Sequence, residues 1–183
     1  STFMRRDGDY GNAVIQAALS SEIALDSTLG LLLWEEQLPN PTIDGAVAAF
    51  DDVRGGLTSR VRREYAPRLG GTWDSRKSGP VQNWSRDLVK LRGRVVHRGY
   101  RPTESEAKAA MSASDELLEY IKSLLASKSK VYPRTALLVL GEPGLRRLGG
   151  WKAASKFMDD GGHRPNDWFR QYATWRSTVD AAL

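Results

Sequence analysis

The sequence predicts an all-α bundle, and three observations predict it. Apolar residues recur at steps of three and four along most of the chain, strand-type alternation is nearly absent, and glycine and proline cluster mostly between the periodic segments. The chain has 183 residues, which is room for one domain and an appended subdomain. With 40% hydrophobic and 27% charged residues, it has the balance of a soluble globular protein. Its longest apolar run, Leu29 to Trp34, falls far short of the roughly 20 residues of a membrane span.

Taken in order, residues 1–11 are polar and are expected to form a flexible arm. A first helix is expected from Asn12, which fits an N-cap, to Gln37, with Ile15, Leu19, Ile23, Leu29 and Leu33 at helical spacing. Pro39 and Pro41 end it. Val47, Phe50, Val53, Leu57 and Val61 predict a second helix from Thr42 to Ala66, weakened at Gly55-Gly56. Pro67 to Asn83 reads as a loop that overlaps the next element. Trp84, Leu88, Leu91 and Val95 share one face of a third helix, Val81 to His97, stopped by Gly99. Thr103 and Glu106 have capping-box spacing and open a fourth helix that ends near Ala126. The bundle therefore covers 12–127, and 128–183 reads as a helical C-terminal extension. In that extension a helix from Pro133 breaks at Gly141, a second piece runs from Leu145 to Met158, and Asn166 fits the cap of a last helix to Ala182.

Charge is unevenly spread. Residues 60–101 hold 12 Lys and Arg against three acids, a net of +9, within a chain of net +5. Such a segment suits a polyanionic partner, nucleic acid above all, although a solvated arginine-rich face has the same composition. The chain has no cysteine, which removes disulfides and thiolate metal ligands and fits a reducing cytoplasm.

One of only two histidines, His97, lies in this basic segment, with Arg92 before it and four residues between. An imidazole titrates near neutrality and can act as general acid or base; arginine grips phosphate oxygens with a planar fork. The pair suits attack of an RNA 2′-hydroxyl on the adjacent phosphate, with no metal or cofactor required. On a helical wheel Arg92 and His97 stand about 140° apart. They therefore need either a frayed helix end or a second chain to meet at one phosphate. Arg94 and Arg98 flank them and either steer RNA or are surface charge. Tyr100 either stacks on a base or packs on the next helix.

The run Leu91-Arg92-Gly93-Arg94-Val95-Val96-His97-Arg98-Gly99-Tyr100, followed by Pro102 and Glu106-Ala107, resembles the HEPN superfamily. The signature there is an arginine, four to six residues, then a histidine. The resemblance covers about residues 12–126. It implies an up-and-down helical bundle that dimerises, and a metal-independent endoribonuclease of the kind found in toxin–antitoxin, CRISPR-linked and antiphage systems. Carried over, Arg92 stabilises charge on the phosphate and His97 is the acid or base, in a cleft shared by two protomers. The implied partners are RNA, a second copy, and an antitoxin or additional domain; the implied location is the cytoplasm. Gly93 departs from the pattern, since active members usually carry a polar residue after the arginine. The alternative is a non-catalytic HEPN module for dimerisation or for binding nucleic acid or nucleotide.

Three lesser signals complete the reading. Glu22 and Asp26, one helical turn apart, either orient a cation in the bundle or are solvated. His163 falls in a turn and, with Asp159-Asp160, makes no convincing metal cluster. No glycine-rich phosphate loop of known spacing is present.

Overall fold

A computed structural model of the chain describes residues 2–50, 56–161 and 165–183. Among these the regular structure is entirely helical. The elements are α1 (Thr2–Glu36), α2 (Asp44–Phe50), α3 (Gly56–Leu69), α4 (Pro80–Asn83), a π-helical segment (Trp84–Val89), α5 (Lys90–Arg98), α6 (Glu104–Ser127), α7 (Pro133–Leu148), α8 (Trp151–Gly161) and α9 (Pro165–Ala182). No described helix is long and apolar enough to cross a membrane.

Several boundaries differ from expectation, each for a physical reason. Helix α1 starts at Thr2, so the segment read as a flexible arm is helical from there. Extending an existing helix needs no new nucleus, which lets Asp7, Gly8 and Asp9 join it despite poor propensity. The helix expected over Thr42 to Ala66 is described as α2 and α3; Val53 and Gly55 lie outside the described residues. Helix α3 runs through Pro67 and closes with Gly70 N–H on the Ala66 carbonyl (3.0 Å). The expected third helix is one run of three parts, with a wide turn in the middle. Helix α7 breaks at Gly141 (φ 60°), as expected, and a further stop at Gly149 separates it from α8. His163 lies outside the described residues, as does the side chain of Asn166.

The chain divides into two compact units, Ser1–Leu25 with Thr72–Tyr120, and Asp26–Gly71 with Ile121–Leu183. In the first unit, α1 and α6 meet through small side chains. Ala18, Ala107, Ala110 and Ala113 are buried. The Ser21 and Ser114 hydroxyls lie 2.8 Å apart and 3.0 and 3.2 Å from the Ala17 carbonyl. Each hydroxyl has one hydrogen, so one donates to the other, which donates to the carbonyl. Trp73 and Trp84 are fully buried, and Trp73 packs 5.4 Å from the Tyr120 ring. The Tyr120 hydroxyl accepts the Thr72 N–H at 2.6 Å.

In the second unit the run Leu31-Leu32-Leu33-Trp34 is buried on every side, which marks this part of α1 as a central helix. Tyr172 meets Trp34 edge-on at 6.0 Å, and the Trp175 indole donates to the Thr42 carbonyl at 3.0 Å. Arg60 is buried and donates to Asp26 (2.6 Å) and to the Phe50 carbonyl (3.3 Å). Asp26 thus orients a cation, the first of its two expected roles. Beneath it Tyr65 is fully buried; burial, and then the charge of Asp26, push its phenol well above the ordinary range.

Glu35 caps α7 from a distance. Its carboxylate, with a side chain 5% exposed, accepts the N–H groups of Arg134 and Thr135, both at 2.8 Å, in the first turn behind Pro133. An anion at a helix N-terminus satisfies orphan donors and complements the helix dipole. Burial raises its pKa from 4.5, and the two backbone bonds and Arg134 oppose that.

Urea unfolding should show Glu35→Ala destabilised by about 1.5–3 kcal/mol, the loss for charged hydrogen bonds left unmade in a buried place. The pH dependence has a definite sign. A raised folded pKa means that the native state holds its proton longer, so stability falls as pH rises from 4.5 through the raised value. Glu35→Gln removes that titration and should gain on the wild type across the same interval.

Candidate nucleic-acid interface

The candidate residues sit on α5 and on the turn after it. Helix α5 is entered through the π-helical segment, where the Lys90 N–H reaches the Ser85 carbonyl, five residues back. It is stopped by Gly99, whose φ of 61° is left-handed and free of strain only in glycine. The amides of Gly99 and Tyr100 both turn back to the Arg94 carbonyl. Trp84, Leu88 and Leu91 are buried, which anchors the inner face. Val95 is half-buried and lies against α1 near Gly11.

Arg92 is half-buried and His97 is exposed. Both lie inside the α-helical part, so they stand about 140° apart and do not converge within one chain. Lys90, Arg94, His97 and Arg98 share one exposed face about 100° wide. Lys90 was missed in the sequence, although its spacing to Arg94, His97 and Arg98 places all four on that face. Among the described residues, the side chains of Lys90, Arg92, His97 and Arg98 make no hydrogen bond or ion pair. His97 and Arg98 lie in the last turn of α5, where positive charge complements the helix dipole.

Arg94 and Tyr100 are engaged internally. The Arg94 guanidinium lies 3.6 Å from the centre of the Tyr100 ring and 3.3 Å from a Glu106 carboxylate oxygen. The Tyr100 hydroxyl lies 3.0 Å from both oxygens of the same carboxylate. Glu106 also accepts from the Thr103 N–H (2.9 Å) and hydroxyl (3.1 Å), while its own N–H donates back to Thr103 Oγ1 (3.2 Å). The capping box is therefore formed, and Tyr100 packs toward the next helix. The Thr103 backbone bond, then the Tyr100 and Thr103 hydroxyls and Arg94, hold the Glu106 carboxyl below its ordinary range against desolvation.

The basic segment is partly neutralised and falls across both units. Arg60, Arg63, Arg68, Arg76 and Arg86 pair with Asp26, Glu64, Glu36 and Glu64, Asp74, and Asp87. What remains on α5 is the exposed face around His97 and the half-buried Arg92. At Gly93 a Cβ would meet nothing within 4 Å, so the position is open. Among the described residues no group of three or more His, Cys, Asp or Glu could hold a metal ion. The chain matches no protein-family model, no curated protein and no solved structure.

Gly93→Ala should stabilise the protein by about 0.5–1 kcal/mol in thermal unfolding, since a helical position gains propensity and nothing blocks the methyl group. A loss instead would show that α5 needs its glycine. Glu106 has the opposite pH sign to Glu35: a lowered folded pKa contributes stability above 4.5 that is lost as pH falls through the lowered value. The advantage of wild type over Glu106→Gln should shrink over that acid interval.

Proposed function

We propose that the chain is a HEPN-type, metal-independent endoribonuclease whose site is completed by a second copy. The observation that carries this reading is α5 itself. It presents Arg92 and His97 on diverging faces, without hydrogen bonds or ion pairs through their side chains among the described residues, and with Lys90 and Arg98 beside the histidine. Unpaired cations on a helix next to a titratable imidazole suit a phosphodiester.

In this mechanism the RNA 2′-hydroxyl attacks the neighbouring phosphorus. One His97 takes the hydroxyl proton, and His97 of the second protomer gives a proton to the departing 5′-oxygen. Arg92 offsets the charge that builds on the non-bridging oxygens. The products are a 2′,3′-cyclic phosphate and a 5′-hydroxyl end. The biological setting proposed with it is an effector of toxin–antitoxin or antiphage type, acting in the cytoplasm and restrained by an antitoxin or a further domain.

The open position at Gly93 favours a second reading, a HEPN module that dimerises or binds RNA or nucleotide without cutting, because no side chain stands there to assist Arg92. A labelled structured RNA incubated in EDTA separates the two. Cleavage by wild type that falls at least about 100-fold in both His97→Ala and Arg92→Ala, the usual range for an acid–base group, supports the nuclease. Equal cleavage by wild type and His97→Ala would reject it. RNA binding without cleavage, weakening with salt and with Arg98→Ala, supports the binding module.

A further inference from the structure

The second unit contains a cleft of about 600 Å³ between the end of α6 and the start and middle of α8. It is distinct from the α5 residues. Three lysines line it: Lys130, from the connection after α6, and Lys152 and Lys156, one turn apart on α8. None of the three has a hydrogen bond or ion pair through its side chain among the described residues. Lys152 and Lys156 repel one another at this spacing, so their placement disfavours the empty site slightly and rewards an anion. The cleft has one acidic lining residue, Asp160, which pairs with none of them. Leu148, Ala153 and Phe157, all half-buried, give it an apolar lining, and the Phe157 ring also meets Arg134 (4.8 Å) and Trp168 (5.8 Å).

The walls are fixed. The Ser129 hydroxyl is buried and donates to the Gly150 carbonyl at 3.0 Å, tying the α6 end to the α8 start. Gly150 approaches α6 so closely that a Cβ would lie 2.8 Å from the Ala126 carbonyl oxygen. A cleft of this size, lined by half-buried apolar side chains and by exposed lysines, has the proportions of a small-molecule site.

We propose that this cleft binds a nucleotide, with phosphates on Lys130, Lys152 and Lys156 and the base over Leu148, Ala153 and Phe157. Lysine is a point-charge partner for phosphate, and the apolar lining is what an inorganic anion would leave unused. The proposal is independent of the α5 reading.

Calorimetric titration of the full chain at constant ionic strength tests it, with ATP, inorganic triphosphate and adenosine as probes. ATP should bind more tightly than either fragment. Lys152→Ala and Lys156→Ala should each weaken ATP binding about tenfold, the loss of one charge-assisted contact. Ala153→Phe, which adds bulk at the apolar lining and keeps every lysine, should remove the preference for ATP over triphosphate. His97→Ala should bind ATP as wild type does. Far-ultraviolet circular dichroism confirms that each variant is folded. The proposal is overturned if millimolar ATP gives no binding, if triphosphate binds as well as ATP, or if the lysine variants bind ATP unchanged. It is also overturned if those variants lose affinity only for RNA.

Discussion

One carboxylate organises the region on which the functional reading rests. Glu106 gathers a backbone amide, two hydroxyls and a guanidinium at the start of α6. These contacts fix how the chain leaves α5 and enters α6, because Gly99 alone only permits the turn. They also sort the arginines of α5. Arg94 is drawn onto Tyr100 and Glu106, while among the described residues the side chains of Arg92 and Arg98 make no hydrogen bond or ion pair. A charge-assisted network is well suited to this, since each member orients the next and an ionised acceptor strengthens every donor bond.

The second unit solves a different problem, the burial of charge beside an apolar run. Asp26 and Glu35 flank the leucine-rich stretch of α1. One pairs with a buried arginine, and the other receives two amide donors. Burying an ion without such partners is very unfavourable, so these contacts constrain which segments surround this helix. Tyr132 follows the same logic: it donates to Glu36 at 2.7 Å, and burial, with that bond, raises its phenol.

Much of the fold was legible because local rules wrote it. The capping box at Thr103 and Glu106, the left-handed stop at Gly99 and the break at Gly141 each depend on residues within one turn. The exposure of His97 also followed from the helical period. The rest depended on partners far away in sequence. Nothing local to Asp26 points to Arg60, and nothing local to Glu35 points to Arg134, 99 residues on. Tyr100 offered two roles by composition, and its contacts with Glu106 and Arg94 depend on how the turn after α5 is placed. The lysine-lined cleft was invisible for the same reason: Lys130 and Lys156 come from different elements, in a segment that periodicity marked only as helical.

The wide turn at Trp84–Val89 has a further consequence. A π segment amounts to one residue inserted into an otherwise regular helix, and it acts as an angular offset on everything downstream. Buried Val81 in α4 anchors the upstream phase, and buried Leu91 anchors that of α5. Winding this segment as a regular α-helix would keep the composition, the apolar count and the Arg–His spacing. Yet it would swing the cationic face by about 100°, one helical step. The azimuth at which this chain presents its imidazole is therefore a property of how the backbone is wound between two anchors, and no residue of α5 itself sets it.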